Sequence, residues 1–161
     1  MISLVRVDNR LIHGQVVEAW FPHLGVGRVV VADDESARSP LVRAAMGLAV
    51  PSTVEVRILP LSEVPFEALR TDDIRTLLLF RDVVGLVEAQ ERGLVPGHVN
   101  LGNVHYGSGR RQVSPSVFLS PDELRQLKML TDEGARVEAR GVPADRPVEY
   151  PEIAERFNKG G

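Results

Sequence analysis

Apolar residues along this chain gather in short runs that alternate with stretches of helical spacing. Runs rich in Val, Ile and Leu predict strands at residues 2–7, 28–32, 53–59 and 74–80. Residues 98–101, 116–119 and 135–142 add three more. The Leu77-Leu78-Leu79-Phe80 run is apolar on both faces, as befits a central strand covered from each side.

Helices with readable ends lie between the runs. A helix over residues 14–20 follows the first strand. Ser39-Pro40 has the form of an N-cap with proline at the first helical position. Leu41, Ala44, Ala45 and Leu48 then recur at helical spacing and are expected to face the core. Val83, Leu86 and Val87 mark a crossover helix with Gly93 at its end. Ser120-Pro121-Asp122-Glu123 reads as a capping box, ahead of a Leu124, Leu127, Leu130 stripe that runs to Gly134. A Pro-rich turn over 143–151 leads into a last helix, 151–158. Alternation on this scale implies right-handed crossovers. The expected fold is α/β: an open, mainly parallel, doubly wound sheet of about seven strands flanked by helices.

Composition narrows the class. The 161 residues, 43% hydrophobic and 25% charged, suit a single domain spanning 1–161 that buries its own core. A net charge of −3 argues against a nucleic-acid partner held by a basic surface. With no cysteine there is no disulfide, thiolate ligand or thiol nucleophile, which fits a reducing compartment. No apolar run approaches the roughly 20 residues that span a bilayer, and the N-terminus lacks a signal-peptide layout. The expectation is a cytoplasmic domain.

In open α/β sheets ligands collect at the carboxyl ends of strands. Two loops stand there. One runs from Asp8 through Asn9, Arg10, Leu11, Ile12 and His13 to Gly14 and Gln15; the other is the Gly-rich stretch 102–109. His13 falls at a helix start, where free amides and the helix dipole favour an anion. A neutral imidazole is abundant near pH 7 and suits a phosphoryl acceptor. Arg10, three residues earlier, offers paired donors to phosphoryl oxygens. Phosphoryl transfer asks mostly for positioning and electrostatics, so no metal or cofactor is needed. The pattern alone favours a plainer reading, a helix-terminal histidine bonded to a nearby carbonyl.

The stretch Arg6-Val7-Asp8-Asn9-Arg10-Leu11-Ile12-His13-Gly14-Gln15-Val16-Val17 closely resembles the N-terminal signature of mannose/fructose/sorbose-type IIB components of the sugar phosphotransferase system (PTS). Trp20, the Val29–Glu35 segment and Val99-Asn100-Leu101-Gly102-Asn103-Val104-His105-Tyr106 resemble further family segments. The resemblance implies a protein-Nπ-phosphohistidine–sugar phosphotransferase. In it His13 takes a phosphoryl group from a phosphorylated IIA component. It then passes the group to a sugar imported through membrane IIC and IID components. Arg10 would hold the phosphoryl group with His13 as the catalytic pair. Asp8, Gly14, Gly102, Asn103 and His105 would line its pocket. The resemblance also implies cytoplasmic residence with membrane association through IIC and IID, and is compatible with a homodimer. Where the family usually carries Gly-Gly, this chain has Gly102-Asn103. That departure motivates an alternative, a regulatory IIB-like protein that senses phosphorylation without its own sugar transport.

Other polar residues take plainer readings. The Asp33-Asp34-Glu35 cluster suits a magnesium ion in principle, but solvated or capping carboxylates are favoured. Stretch 102–109 lacks the Lys-Ser/Thr of a phosphate-binding loop and the context of a dinucleotide site. Arg110-Arg111 suits a basic docking rim or a solvated turn, His23 a helix end, His98 a structural role and Trp20 core packing.

Overall fold

The computed structural model describes residues 1–160. The strands are β1 (Ile2–Asp8), β2 (Arg28–Ala32), β3 (Glu55–Leu59), β4 (Thr76–Phe80), β5 (His98–Asn103), β6 (Arg111–Ser114), β7 (Val117–Leu119), β8 (Arg136–Ala139) and β9 (Val148–Glu149). Seven form one sheet in the order β3-β2-β4-β1-β5-β8-β9. Pairing is parallel throughout except for β9, which runs antiparallel to β8. The strands of β2 and β4 are buried at every position, because helices cover both faces.

On one face lie a π-helical turn, Val16–Trp20, and α1 (Phe21–Leu24). Val16, Trp20 and Phe21 pack there with Leu4, Val29, Val31, Leu77 and Leu79. Next in the chain come α2 (Asp34–Arg38), α3 (Pro40–Ala49), α4 (Phe66–Thr71), α5 (Val83–Glu91), α6 (Pro121–Asp132) and α7 (Tyr150–Lys159). The opposite face of the sheet is covered by α4 to α7, whose Leu69, Leu86, Leu127 and Ile153 meet Val5, Val7, Leu78 and Val99. Chain leaving β1 crosses to one face, and chain leaving its neighbour β4 crosses to the other. The carboxyl ends of β1 and β4 therefore flank a topological switch point, where an open sheet forms a crevice.

Local signals are realised closely at several ends. Ser39 caps α3 by accepting from the Val42 amide. Ser120 and Glu123 form the reciprocal capping box of α6. Gly93 takes a φ of +105° just past α5, a conformation that favours glycine.

Three expectations need correction. The segment 116–119 is a strand, but β7 pairs with β6 in a separate two-stranded hairpin. The seventh strand of the main sheet is β9, two residues inside the Pro-rich turn and too short to leave a periodic signal. The α3 residues Leu41, Ala44, Ala45 and Leu48 do not face the core: all are exposed, Leu41 at 80% and Leu48 at 89%. Only Met46 packs against the sheet-side cluster. Helical spacing reports an apolar stripe, and here α3 follows α2 outward, leaving that stripe uncovered.

Candidate functional site

Strand β1 carries Leu4, Arg6 and Asp8 on one face, since alternate residues share a side. Arg6 and Asp8 are wholly buried. Burial of such groups is costly without pairing, and the pairing is dense although Arg6 Nε has no partner among the described residues. Arg6 Nη2 donates to Asp8 Oδ2 at 2.9 Å, and Arg6 Nη1 donates to Asn100 Oδ1 at 2.6 Å and the Arg140 carbonyl at 3.2 Å. The guanidinium lies over Gly102, where a Cβ would fall 2.0 Å from Arg6 Cζ. Only glycine leaves room for it. The Trp20 ring contacts two cations, 5.3 Å from Arg6 Cζ and 5.2 Å from Arg140 Cζ. Its indole N–H donates to the Gly141 carbonyl at 2.9 Å.

The loop after β1 folds back on this base. Asp8 Oδ1 accepts from the Arg10 amide at 2.9 Å, and the Leu11 amide donates to the Asp8 carbonyl at 2.9 Å. Leu11 takes a φ of +56°, a strained state for a leucine, and is held there by burial of its side chain. Ile12 is buried beside it. These two anchors turn Arg10 and His13 toward the crevice.

His13 starts the helical stretch, its carbonyl accepting from the Val16 and Val17 amides at 3.0 and 3.1 Å. The amides of Gly14 and Gln15, in the first turn, have no acceptor within the helix. The His13 ring is part-buried, and Nε2 lies 2.8 Å from Asp8 Oδ2. Burial alone would raise the Asp8 pKa. The hydrogen bonds from His13, Arg6 and the Arg10 amide outweigh it and hold the carboxyl below its ordinary range. An ionised carboxylate only accepts. Nε2 must then carry the proton, which leaves Nδ1 with the free lone pair. Arg10 is half exposed, its Nε 3.8 Å from Asp8 Oδ1 and its Nη2 3.4 Å from Gln15 Oε1.

The second loop meets the first through Asn103. Its side-chain amide donates to Asn9 Oδ1, and its carbonyl accepts from the Asn9 amide at 3.0 Å. His105 is exposed, and its carbonyl takes a bond from Arg110 Nη1 at 2.9 Å. Among the described residues the His105 ring has no hydrogen-bond partner; its neighbour Tyr106 packs edge-on against Phe118, 5.8 Å between ring centres. The structure thus joins Asp8, Arg10, His13 and Asn103 in one assembly, with Gly102 beneath Arg6, and leaves His105 on the hairpin side.

The remaining candidates resolve simply. Asp33 caps α2 and pairs with Arg81 at 2.7 Å, and Asp34 accepts from the Leu61 amide. Arg110 is tied to Glu123, and Arg111 lies over Phe157. His98 bonds the buried Glu138 at 2.7 Å, and the His23 ring stands edge-on to Trp20. Arg6, Asn100 and Arg140 were not singled out from the sequence. A signal existed: Arg6 stands between Val5 and Val7, and Asn100 between Val99 and Leu101, polar residues flanked by apolar ones within their strands.

Fold and site together define an open α/β domain that presents an imidazole, backed by a buried carboxylate and guanidinium, at its switch-point crevice. Comparison with known proteins gives this class a name. Residues 2–159 match the PTS system sorbose subfamily IIB component family. The N-acetylgalactosamine-specific phosphotransferase enzyme IIB component 2 of Escherichia coli is 31% identical over 152 residues, which cover 92% of this chain and 95% of that one. The fructose-specific EIIB component of Bacillus subtilis is 27% identical across 98% of both chains. The crystal structure of the E. coli N-acetylgalactosamine-specific IIB component 1 superposes with a TM-score of 0.84 at 27% identity, covering 92% of this chain and 98% of that one. This chain belongs to the sorbose subfamily of PTS IIB components. Among the described residues no helix is long and apolar enough to cross a membrane.

Proposed function

We propose that the chain is a phosphohistidine carrier, accepting a phosphoryl group at His13 Nδ1 from a phosphohistidine of a IIA component. It then delivers the group to the hydroxyl of a sugar presented by IIC and IID components on the cytoplasmic side of a membrane. The observation that carries this reading is the 2.8 Å contact of His13 Nε2 with Asp8, which keeps the proton on Nε2 and the nucleophilic lone pair on Nδ1. As the new P–Nδ1 bond forms, the donor's P–N bond breaks. The ring keeps its Nε2 proton and becomes cationic, a charge that the Asp8 carboxylate stabilises. In onward transfer the sugar oxygen attacks phosphorus, the hydroxyl proton is released, and the bonding pair returns to Nδ1. Arg10 and the Gly14 and Gln15 amides supply donors for the phosphoryl oxygens.

Arg6 has a separate part. The Asp8 oxygen that faces His13 is shared with Arg6, whose Nη2 donates to the same Oδ2 at 2.9 Å. The buried guanidinium offsets the carboxylate charge. The Asn103 amide is engaged with Asn9, tying the second loop to the first.

The test is incubation with the cognate phosphorylated IIA component and labelled phosphate. Wild type should gain one acid-labile phosphate, with a phosphorus NMR signal of Nδ1-phosphohistidine, and His13→Ala should gain none. Full labelling of His13→Ala would refute the assignment.

A further inference from the structure

Beside the His13 loop, between it and α7, lies a cavity of about 530 Å³. Arg10 and Gln15 form its edge toward His13, and Arg140, Arg146 and Arg156 contribute three more cationic side chains. This size lies within the range of small-molecule sites. The guanidiniums are incompletely matched by carboxylates. Among the described residues Glu152 is the one carboxylate that serves both Arg146, at 3.1 Å, and Arg156, at 2.5 Å. Arg140 shares Glu138 with His98 and Arg136, and its Nε is buried without a partner. Among the described residues the one carboxylate near Arg10 is Asp8, at 3.8 Å, and its Nη2 reaches Gln15 Oε1 at 3.4 Å. The acidic residue on the lining, Asp145, is turned into its own loop, where its carboxylate accepts from the Val142 amide at 3.3 Å.

The other lining groups are of a different kind. Gln15, Ser114 and Ser116 carry amide and hydroxyl groups, while Pro115 and Val148 are apolar. Guanidiniums bind phosphate through paired donors. Neutral amides and hydroxyls match the hydroxyls of a polyol, and apolar patches match its carbon faces. Inorganic phosphate would use the arginines and leave the rest of the lining idle.

We propose that this cavity binds the phosphate monoester of a sugar, the chemical class of product that a carrier at His13 leaves behind. The choice of sugar ester over other phosphates rests on the carrier reading of His13; the cavity and its charges do not. Bound there, the ester would lie against Arg10 and compete with an incoming phosphoryl group, so accumulated product would slow recharging of His13.

The molecule carries its own reporter. Trp20 is the sole tryptophan, bonded to the cavity-lining Gly141 and stacked on the cavity-lining Arg140. Unphosphorylated protein is titrated with a panel of hexose 1- and 6-phosphates, the free hexoses and inorganic phosphate, with tryptophan fluorescence as the readout. At least one hexose phosphate should give a saturable change, with inorganic phosphate and free hexoses roughly tenfold weaker or more. Arg146→Gln and Arg156→Gln should each weaken binding about tenfold. The exposed position of Arg146 keeps that variant informative if Arg156→Gln is unstable. A flat titration across the panel, an equal response to inorganic phosphate, or undiminished binding by folded variants overturns the proposal. Phosphorylation of wild-type His13 by the donor is measured separately. Normal labelling with no ester binding removes the cavity proposal alone, and absent labelling removes the carrier reading.

Discussion

The base of the His13 loop and helix α3 both invert the usual distribution of polar and apolar groups, in opposite directions. Under the loop, Arg6, Asp8 and Asn100 are fully buried. On α3, Leu41 and Leu48 are almost fully exposed. A buried charge without partners costs several kcal/mol, so it persists only where every neighbour is placed to receive it. An exposed leucine forfeits burial but violates no hydrogen bond, so a fold tolerates it without any compensating contact. The first region is consequently specified in detail, whereas the second is specified only as a helix with one apolar side.

That difference is testable by substitution. Arg6→Met should produce the largest effect. It leaves Asp8 and Asn100 without their cation and should lower unfolding stability by about 3–5 kcal/mol. A denaturant midpoint close to wild type would mean the network adds little. Gly102→Ala comes next, because its methyl must displace the Arg6 guanidinium; about 1–3 kcal/mol is expected, with loss of phosphate labelling at His13 greater than loss of fold. If labelling survives intact, Arg6 does not govern the histidine.

A smaller effect should appear in acid. Asp8 is held below its ordinary carboxylate range in the folded protein. Its contribution is therefore fully present above the unfolded carboxyl pKa of about 4 and is lost as pH falls through the lower folded value. Stability measured between about pH 5 and pH 2 should fall less steeply in Asp8→Asn than in wild type. Equal slopes would show that other carboxylates carry the acid limb. The smallest effect belongs to α3. Leu41→Gln and Leu48→Gln should change stability by no more than about 0.5 kcal/mol. A larger loss would show that this face is covered in solution.

Much of the architecture is legible in the sequence. The run from Leu77 to Phe80 announced a central strand, and Ser120 with Glu123 announced a helix start, because both are local signals. The family was legible in the same way, through a resemblance carried by the stretch from Arg6 to Val17. Less legible were β9, whose two residues have no periodicity, and the exposure of α3, whose stripe states no partner. Within the site, Gly102 was expected to line a phosphoryl pocket, yet the contact its missing Cβ permits is with Arg6. A single chain of letters cannot show that a guanidinium from one strand crosses a glycine of the next.

The sequence by itself determined the alternating elements, the parallel order they favour and the residue types gathered at the strand ends. Those depend on periodicity, capping and backbone preference, all of which act over a few residues. Tertiary structure alone decided that Asp8 takes Nε2 of His13, that Arg6 rests on Asn100 and the Arg140 carbonyl, and that four arginines from distant segments share one cavity. Such contacts depend on strand register and crossover geometry, which bring together groups more than a hundred positions apart.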